Sequence, residues 1–280
     1  MHTPKRNLQQ IRSSSITSTT ILAFRKKIFS FYKKNARDLP WRKTTNPYNI
    51  LVSEVMLQQT QVDRVKEKYI LWIKQFPDFE TLAKAPLSHV LTVWSGLGYN
   101  SRAKRLQDLA KIVVTDLHGV LPDGPEELQK LPGIGPYTSK SILIFAKNRP
   151  LATVDTNIRR ILMHEFSLPT TYSEKQIEEL ALLLLPRRRS RDWHNALMDY
   201  GSLVLTSKKT GIAPKTKQST FQGSTRWYRG QILKLLTEKK NVTKKSIYTN
   251  YEKELIDPII KNLISEGLIC EKKDRISLPT

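Results

Sequence analysis

One cysteine, Cys270, stands in 280 residues. A disulfide needs two thiols, and a Cys-rich zinc site or a Cys-ligated iron–sulfur cluster needs more. None of these can form within this chain. Acidic residues are also scarce: 25 Asp+Glu face 47 Lys+Arg, a formal net charge of +22 with a pI near 10.0. The excess is spread through the chain, so the expected partner is a polyanion. Nucleic acid comes first, because lysine and arginine release counterions from phosphates; a membrane surface or an acidic protein would satisfy charge alone. No apolar run approaches the roughly 20 residues of a membrane span, so a soluble protein without a membrane partner is expected. The length is enough for a hydrophobic core that needs no staple.

Strands are scarce too. From Thr20 onward the apolar residues recur at helical spacing, with Ile21, Leu22, Phe24, Ile28, Phe29 and Tyr32 on one face. Further helices are predicted over 47–59, 62–76, 79–85, 87–93, 101–117, 125–130, 137–146, 156–166, 173–185 and 193–205. Only Leu151 to Val154 reads as extended. Residues 1–19 form a basic, Ser/Thr-rich arm without acids, which suits either an organelle transit peptide or a nucleic-acid-seeking arm. Residues 206–225 lose apolar periodicity and read as a linker. Beyond it, helices over 227–239, 244–251 and 252–266 and a hairpin over 268–278 resemble a winged helix, whose third helix commonly enters the DNA major groove; a small helical cap is the other reading.

Three segments carry chemistry. Leu131-Pro-Gly-Ile-Gly135 precedes a helix, and Gly133 and Gly135 permit a tight helix–hairpin–helix turn whose following N–H groups suit a phosphate. Glu54 interrupts the apolar run Ile50-Leu-Val-Ser-Glu-Val-Met-Leu57, where desolvation favours the neutral, proton-donating form of a carboxyl. Asp155 ends the apolar stretch from Leu151 at a helix start, where N–H groups favour an anion. Each also has a bland reading: a plain turn, a carboxylate that reaches the surface or pairs with an arginine, and a simple cap. Together, a protonated and an ionised carboxyl form the pair needed to cleave through an oxocarbenium-like sugar.

With these segments the chain resembles the helix–hairpin–helix DNA glycosylases, and more closely the adenine DNA glycosylases of the MutY type. The resemblance runs from about Arg37 to Leu205. It rests on Arg-Asp-Leu-Pro-Trp-Arg at 37–42, Ser-Glu-Val-Met-Leu-Gln-Gln-Thr-Gln-Val at 53–62 and Gly-Leu-Gly-Tyr at 96–99. Leu-Pro-Gly-Ile-Gly-Pro-Tyr-Thr at 131–138, Val-Asp-Thr-Asn at 154–157 and Met-Asp-Tyr-Gly at 198–201 complete it, in the family's order. The fold it implies is all-α and two-lobed, with residues 20–205 as the glycosylase domain; the element order beyond the linker adds 226–280 as a small winged-helix-like DNA-binding domain.

The resemblance also implies roles. Glu54 matches the general acid that protonates the flipped adenine, Asp155 the carboxylate that stabilises the sugar cation, and Tyr137 and Asn157 residues lining that site. Arg37, Leu39, Trp41, Arg42 and Asp199 match the adenine pocket and its neighbourhood, and Gln58, Gln59 and Tyr99 match residues that wedge beside the opposite base. In endonuclease III-type lyases the position of Tyr137 carries a Schiff-base lysine, which a tyrosine cannot replace; Lys140, one turn on, is the remaining amine. The implied enzyme is therefore a monofunctional glycosylase that leaves an abasic site. Its implied partner is double-stranded DNA with adenine mispaired with 8-oxoguanine or guanine, bound by a monomer. The implied location is the cytoplasmic nucleoid of a prokaryote, or the nucleus or mitochondrion of a eukaryote.

Two departures stand out. Most relatives ligate a [4Fe–4S] cluster with four cysteines after the Met-Asp-Tyr-Gly region, whereas Leu205 takes the first ligand position here and 207–222 contains no cysteine. No cofactor and no metal are expected. The 75 residues after Leu205 are too few and too helical for the Nudix-like domain that inspects 8-oxoguanine. Lys208, Lys209, Lys215 and Lys217 are expected to replace the cluster loop's phosphate contacts. A thymine or uracil mismatch glycosylase and a non-catalytic DNA-binding descendant are the alternatives.

Overall fold

The computed structural model describes residues 16–169, 171–213 and 220–280. Most of the basic arm, with its transit-peptide reading, and Lys215 and Lys217 lie outside the described residues. The chain runs through α1 (Ser18–Asn35), a 3-10 turn (Pro40–Lys43), α2 (Pro47–Leu57), α3 (Val62–Gln75), α4 (Phe79–Lys84), α5 (Leu87–Trp94) and α6 (Ser101–Thr115). It continues with α7 (Pro125–Gln129), α8 (Pro136–Lys147), α9 (Thr156–Glu165), α10 (Glu174–Leu183), α11 (Ser190–Leu203) and α12 (Ser207–Thr210). The last segment is α13 (Thr225–Glu238), β1 (Asn241–Thr243), α14 (Lys244–Tyr248), α15 (Lys253–Ser265), β2 (Cys270–Lys272) and β3 (Arg275–Ser277).

Side-chain caps set several of these starts. Thr17 accepts the Thr20 N–H, so α1 begins two residues before Thr20. Asn46 accepts from the N–H groups of Tyr48 and Asn49 and is followed by Pro47, which fixes the start of α2. Ser173 and Gln176 form a reciprocal capping box on α10.

The helices gather into two compact units, one built from the described residues of 1–45 and 136–217, the other from those of 46–135 and 218–280. In the first, α1, α9, α10 and α11 enclose Ile28, Ile161, Leu162, Ile177, Trp193 and Leu197. Here α11 meets α9 at Gly201, where an added Cβ would stand 3.0 Å from Asn157 Cβ and from Ile161 Cδ1, so a larger residue would press these neighbours apart. Arg25 donates to the carbonyls of Leu183, Leu184 and Leu185 and closes the C-terminus of α10.

In the second unit Trp72 stacks edgewise on Phe76 and Trp94. Its indole donates to the Tyr48 hydroxyl at 3.2 Å, which in turn donates to the Phe76 carbonyl at 2.7 Å. The Gln107 amide joins α6 to α4 by donating to the carbonyls of Leu82 and Ala85. The C-terminal segment packs into this same unit: α13 lies against α5, and the Ser88 N–H donates to the Pro279 carbonyl at 3.1 Å. The compact units therefore interleave the chain instead of cutting it once.

The C-terminal sheet is antiparallel in the order β1-β3-β2, and Lys273 and Asp274 form its tight turn with φ of 46° and 60°. Helix, strand, two helices and a two-stranded wing make the winged-helix-like order. Three-residue β1 was not among the predicted elements; so short a strand leaves no alternation to read. A second difference falls at 151–154, which forms no strand. The Thr153 N–H donates instead to His194 Nε2, and the Leu151 carbonyl accepts from the Ser190 hydroxyl, so α11 side chains satisfy this backbone.

Candidate active site

Asp155 is the N-cap of α9. Its Oδ1 accepts the Ile158 N–H at 2.7 Å, and its Oδ2 accepts the Asn157 amide at 3.0 Å. Burial pushes the carboxyl above the ordinary aspartate range, against those hydrogen bonds and the nearby Arg160 charge. The helix start alone predicts an easily ionised group, and the surroundings reverse that direction by withholding solvent. Arg160, absent from the sequence-derived site, orients the pair: it donates to Asn157 Oδ1 at 2.6 Å and to the carbonyls of Gly201 and Leu205. His194 fixes the approach to Asp155 through Thr153, and its desolvated ring is held neutral with a pKa lowered to about 4.

Glu54 lies in α2, where Ile50, Leu51, Val52, Ser53, Val55 and Met56 are all buried, and it is itself only 8% exposed. The surface-carboxylate reading is thereby removed. Glu54 belongs to the unit containing 46–135; Asp155, Asn157 and Tyr137 belong to the other. Tyr137 occupies the first turn of α8. One turn on, Lys140 pairs with Glu178 at 2.9 Å.

Asp199 is 0% exposed and gathers the 37–42 segment. Arg42 donates to both of its oxygens at 2.7 and 2.8 Å, while Arg37 donates through its backbone N–H at 3.0 Å and Nε at 2.5 Å. Burial alone would raise this carboxyl, but the donors from Arg42 and Arg37 outweigh it and hold it below the ordinary range. With both oxygens engaged, Asp199 braces this segment, in which Leu39 and Trp41 are buried.

Gln58, Gln59 and Tyr99 are brought under one control. Arg102, 7% exposed, donates to the carbonyls of Val55, Met56 and Gln58 through Nη1 and to those of Leu97 and Gly98 through Nη2. It also reaches the Thr60 hydroxyl and the Tyr99 carbonyl. Burial lowers its pKa to about 10. One guanidinium thus ties the C-terminus of α2 to the 96–99 loop, and both loops hold a non-glycine residue in left-handed backbone: Gln59 at φ 55° and Tyr99 at φ 45°. Such strain persists only where surroundings impose it. Arg102 precedes Leu106 and Leu109 by four and seven positions, on the buried stripe of α6, which is the sequence signal that marks it.

In the hairpin, Gly133 has φ +80°, whereas Gly135 needs no special backbone and a Cβ there meets nothing within 4 Å. Only Gly133 is required by the turn; Gly135 leaves open space before α8.

Four soft ligands would be needed for an iron–sulfur cluster, and the donor set does not fit. Leu205, at the first ligand position, is buried in the apolar core of its unit, Thr206 caps α12, and the sole thiol, Cys270, is exposed on β2.

Residues 52–187 match the HhH-GPD superfamily of base excision DNA repair proteins. An adenine DNA glycosylase of Buchnera aphidicola is 38% identical over 200 residues, covering 70% of this chain and 57% of that protein. One from Mycolicibacterium smegmatis is 31% identical over 274 residues, covering 88% of this chain and 92% of that protein. The chain thus spans little over half of the first and nearly all of the second. Among solved structures, a thermostable thymine-DNA glycosylase superposes with a TM-score of 0.64 at 30% identity, covering 70% of this chain and 92% of that one. The chain belongs to the HhH-GPD superfamily of base excision DNA repair proteins, in its adenine DNA glycosylase family.

Proposed function

We propose that this protein is a monofunctional DNA glycosylase that removes adenine mispaired with 8-oxoguanine or guanine and leaves an abasic site. The observation that carries the reading is the burial of two carboxyls, each within its own unit: Glu54 in an apolar helix, and Asp155 capped by donors yet short of solvent. Once adenine is flipped out, Glu54 delivers a proton to its five-membered ring, and the base leaves with the electrons of the glycosidic bond. The sugar becomes an oxocarbenium ion facing the Asp155 carboxylate, and water adds to it. A poorly solvated carboxylate gains most when positive charge develops beside it, so its stabilisation is realised in the transition state. Arg37, Leu39 and Trp41 would line the adenine pocket, with Arg42 and Asp199 holding them. Gln58, Gln59 and Tyr99 would occupy the space beside the opposite base, and Gly133 and Gly135 would admit a phosphate.

Lyase chemistry is disfavoured by Tyr137 and by the ion pair that occupies Lys140. The same reading includes work without an iron–sulfur cluster, as a monomer on duplex DNA in the nucleoid or nucleus. Glu54→Gln should keep duplex binding and lose base release, because an amide cannot donate that proton; near-normal release would end the assignment. The thymine-DNA glycosylase neighbour supports one second reading, removal of thymine opposite guanine. Release of thymine opposite guanine, with no release of adenine opposite guanine in the same sequence context, would select it.

A further inference from the structure

Tyr99 has a fixed main chain. Its φ of 45° is held within the Arg102 clamp, and the Arg102 guanidinium lies 5.5 Å from its ring. Its side chain is engaged by a residue of the C-terminal segment. Arg226, at the start of α13, donates through Nη1 to the Tyr99 hydroxyl at 2.5 Å and sets a second guanidinium 5.5 Å from the same ring. Arg226 is itself anchored: Ser224 caps α13 by accepting the Trp227 N–H at 3.3 Å, and α13 packs on α5, the helix that leads into Gly96-Leu-Gly-Tyr99. The C-terminal segment and the wedge loop share one support.

We infer that Arg226 is a positioning residue for Tyr99, so that the C-terminal segment takes part in reading the base opposite the excised adenine. The inference rests on the proposed place of Tyr99 beside that base. A ring ordered before DNA arrives loses less rotamer freedom on binding. The Arg226 contact thus gives the C-terminal segment a task besides contacting phosphates.

The test uses the full chain in four variants: Arg226→Ala, Arg226→Lys, Tyr99→Phe and the Arg226→Ala/Tyr99→Phe double. Two readouts are taken on a duplex with adenine opposite 8-oxoguanine: single-turnover adenine release, and fluorescence of a 2-aminopurine placed beside the 8-oxoguanine, which brightens when unstacked. Arg226→Ala and Tyr99→Phe should each lower both by about five- to tenfold. The double should fall no further, Arg226→Lys should recover part, and unchanged melting temperatures should exclude misfolding. Losses that multiply in the double would overturn the inference, because Arg226 would then act through its own DNA contact. A Tyr99→Ala control separates the failures. If it loses both signals while Arg226→Ala keeps them, Tyr99 is the wedge and Arg226 does not position it; if it loses neither, the wedge reading falls and the inference with it.

Discussion

At the residue scale the site is a set of carboxyls sorted by their surroundings. Asp155 is pushed up by burial, so its charged form is a cost to the folded state at neutral pH. The sign follows: this cost is absent below the ordinary aspartate pKa of about 4 and grows as pH rises through the raised value. Asp155→Asn keeps the cap, so it should melt higher than the parent at pH 7, with the difference shrinking toward pH 4. The same variant should lose about two to three orders of magnitude in adenine release, in line with removing one transition-state charge contact. A lower melting temperature at pH 7 would contradict the assigned environment. Asp199 has the opposite sign: its carboxyl is held low, so its contribution is present at neutral pH and is lost as pH falls through the depressed value. Asp199→Asn should destabilise by about 3–5 kcal/mol, because two arginines lose a buried partner. Urea melts at pH 7 would measure it.

At the element scale, most helices were legible because their apolar spacing and their capping residues agree. Glu54 and Asp155 were legible for a related reason: one interrupts an apolar helix and the other opens a helix after an apolar stretch. The braces were not. Arg102, Arg160 and Arg226 act through carbonyls and side chains far away in sequence, and a charged residue on a helix reads first as a solvated one. Nor did periodicity reveal that 151–154 would be satisfied by His194 and Ser190 instead of a neighbouring strand. Arg102→Lys tests the clamp. An ammonium has three donors in place of a planar fork, so several buried carbonyls lose partners, at about 1–3 kcal/mol each. Amide exchange should accelerate in both the 58–60 and 96–99 loops; acceleration in one alone would mean they are held separately.

On the scale of the whole molecule, the +22 charge fits duplex DNA, and the C-terminal segment shows where part of it goes. Its third helix, α15, exposes Lys253 and Lys261 beside Glu254, whereas Lys239, Lys240, Lys245, Lys272, Lys273 and Arg275 are exposed around β1 and the wing. A backbone-gripping wing is therefore expected in place of a groove-reading helix. Lys272→Ala with Lys273→Ala should weaken matched and mismatched duplexes alike and reduce the salt slope by about 2. An unchanged slope would place the phosphate contacts elsewhere. Purified protein should also be free of iron and keep its activity in chelator, since Leu205 and a single thiol offer no ligand set.

Adenine excision by Glu54 and Asp155 is tested by incubating the protein with four duplexes, carrying A opposite 8-oxoguanine, A opposite G, T opposite G, and uracil opposite G, and then treating them with alkali. Strand cleavage is expected at adenine in the first two, dependent on alkali and absent with Glu54→Gln. Cleavage at thymine or uracil alone, cleavage without alkali, or adenine release undiminished in Glu54→Gln would contradict it.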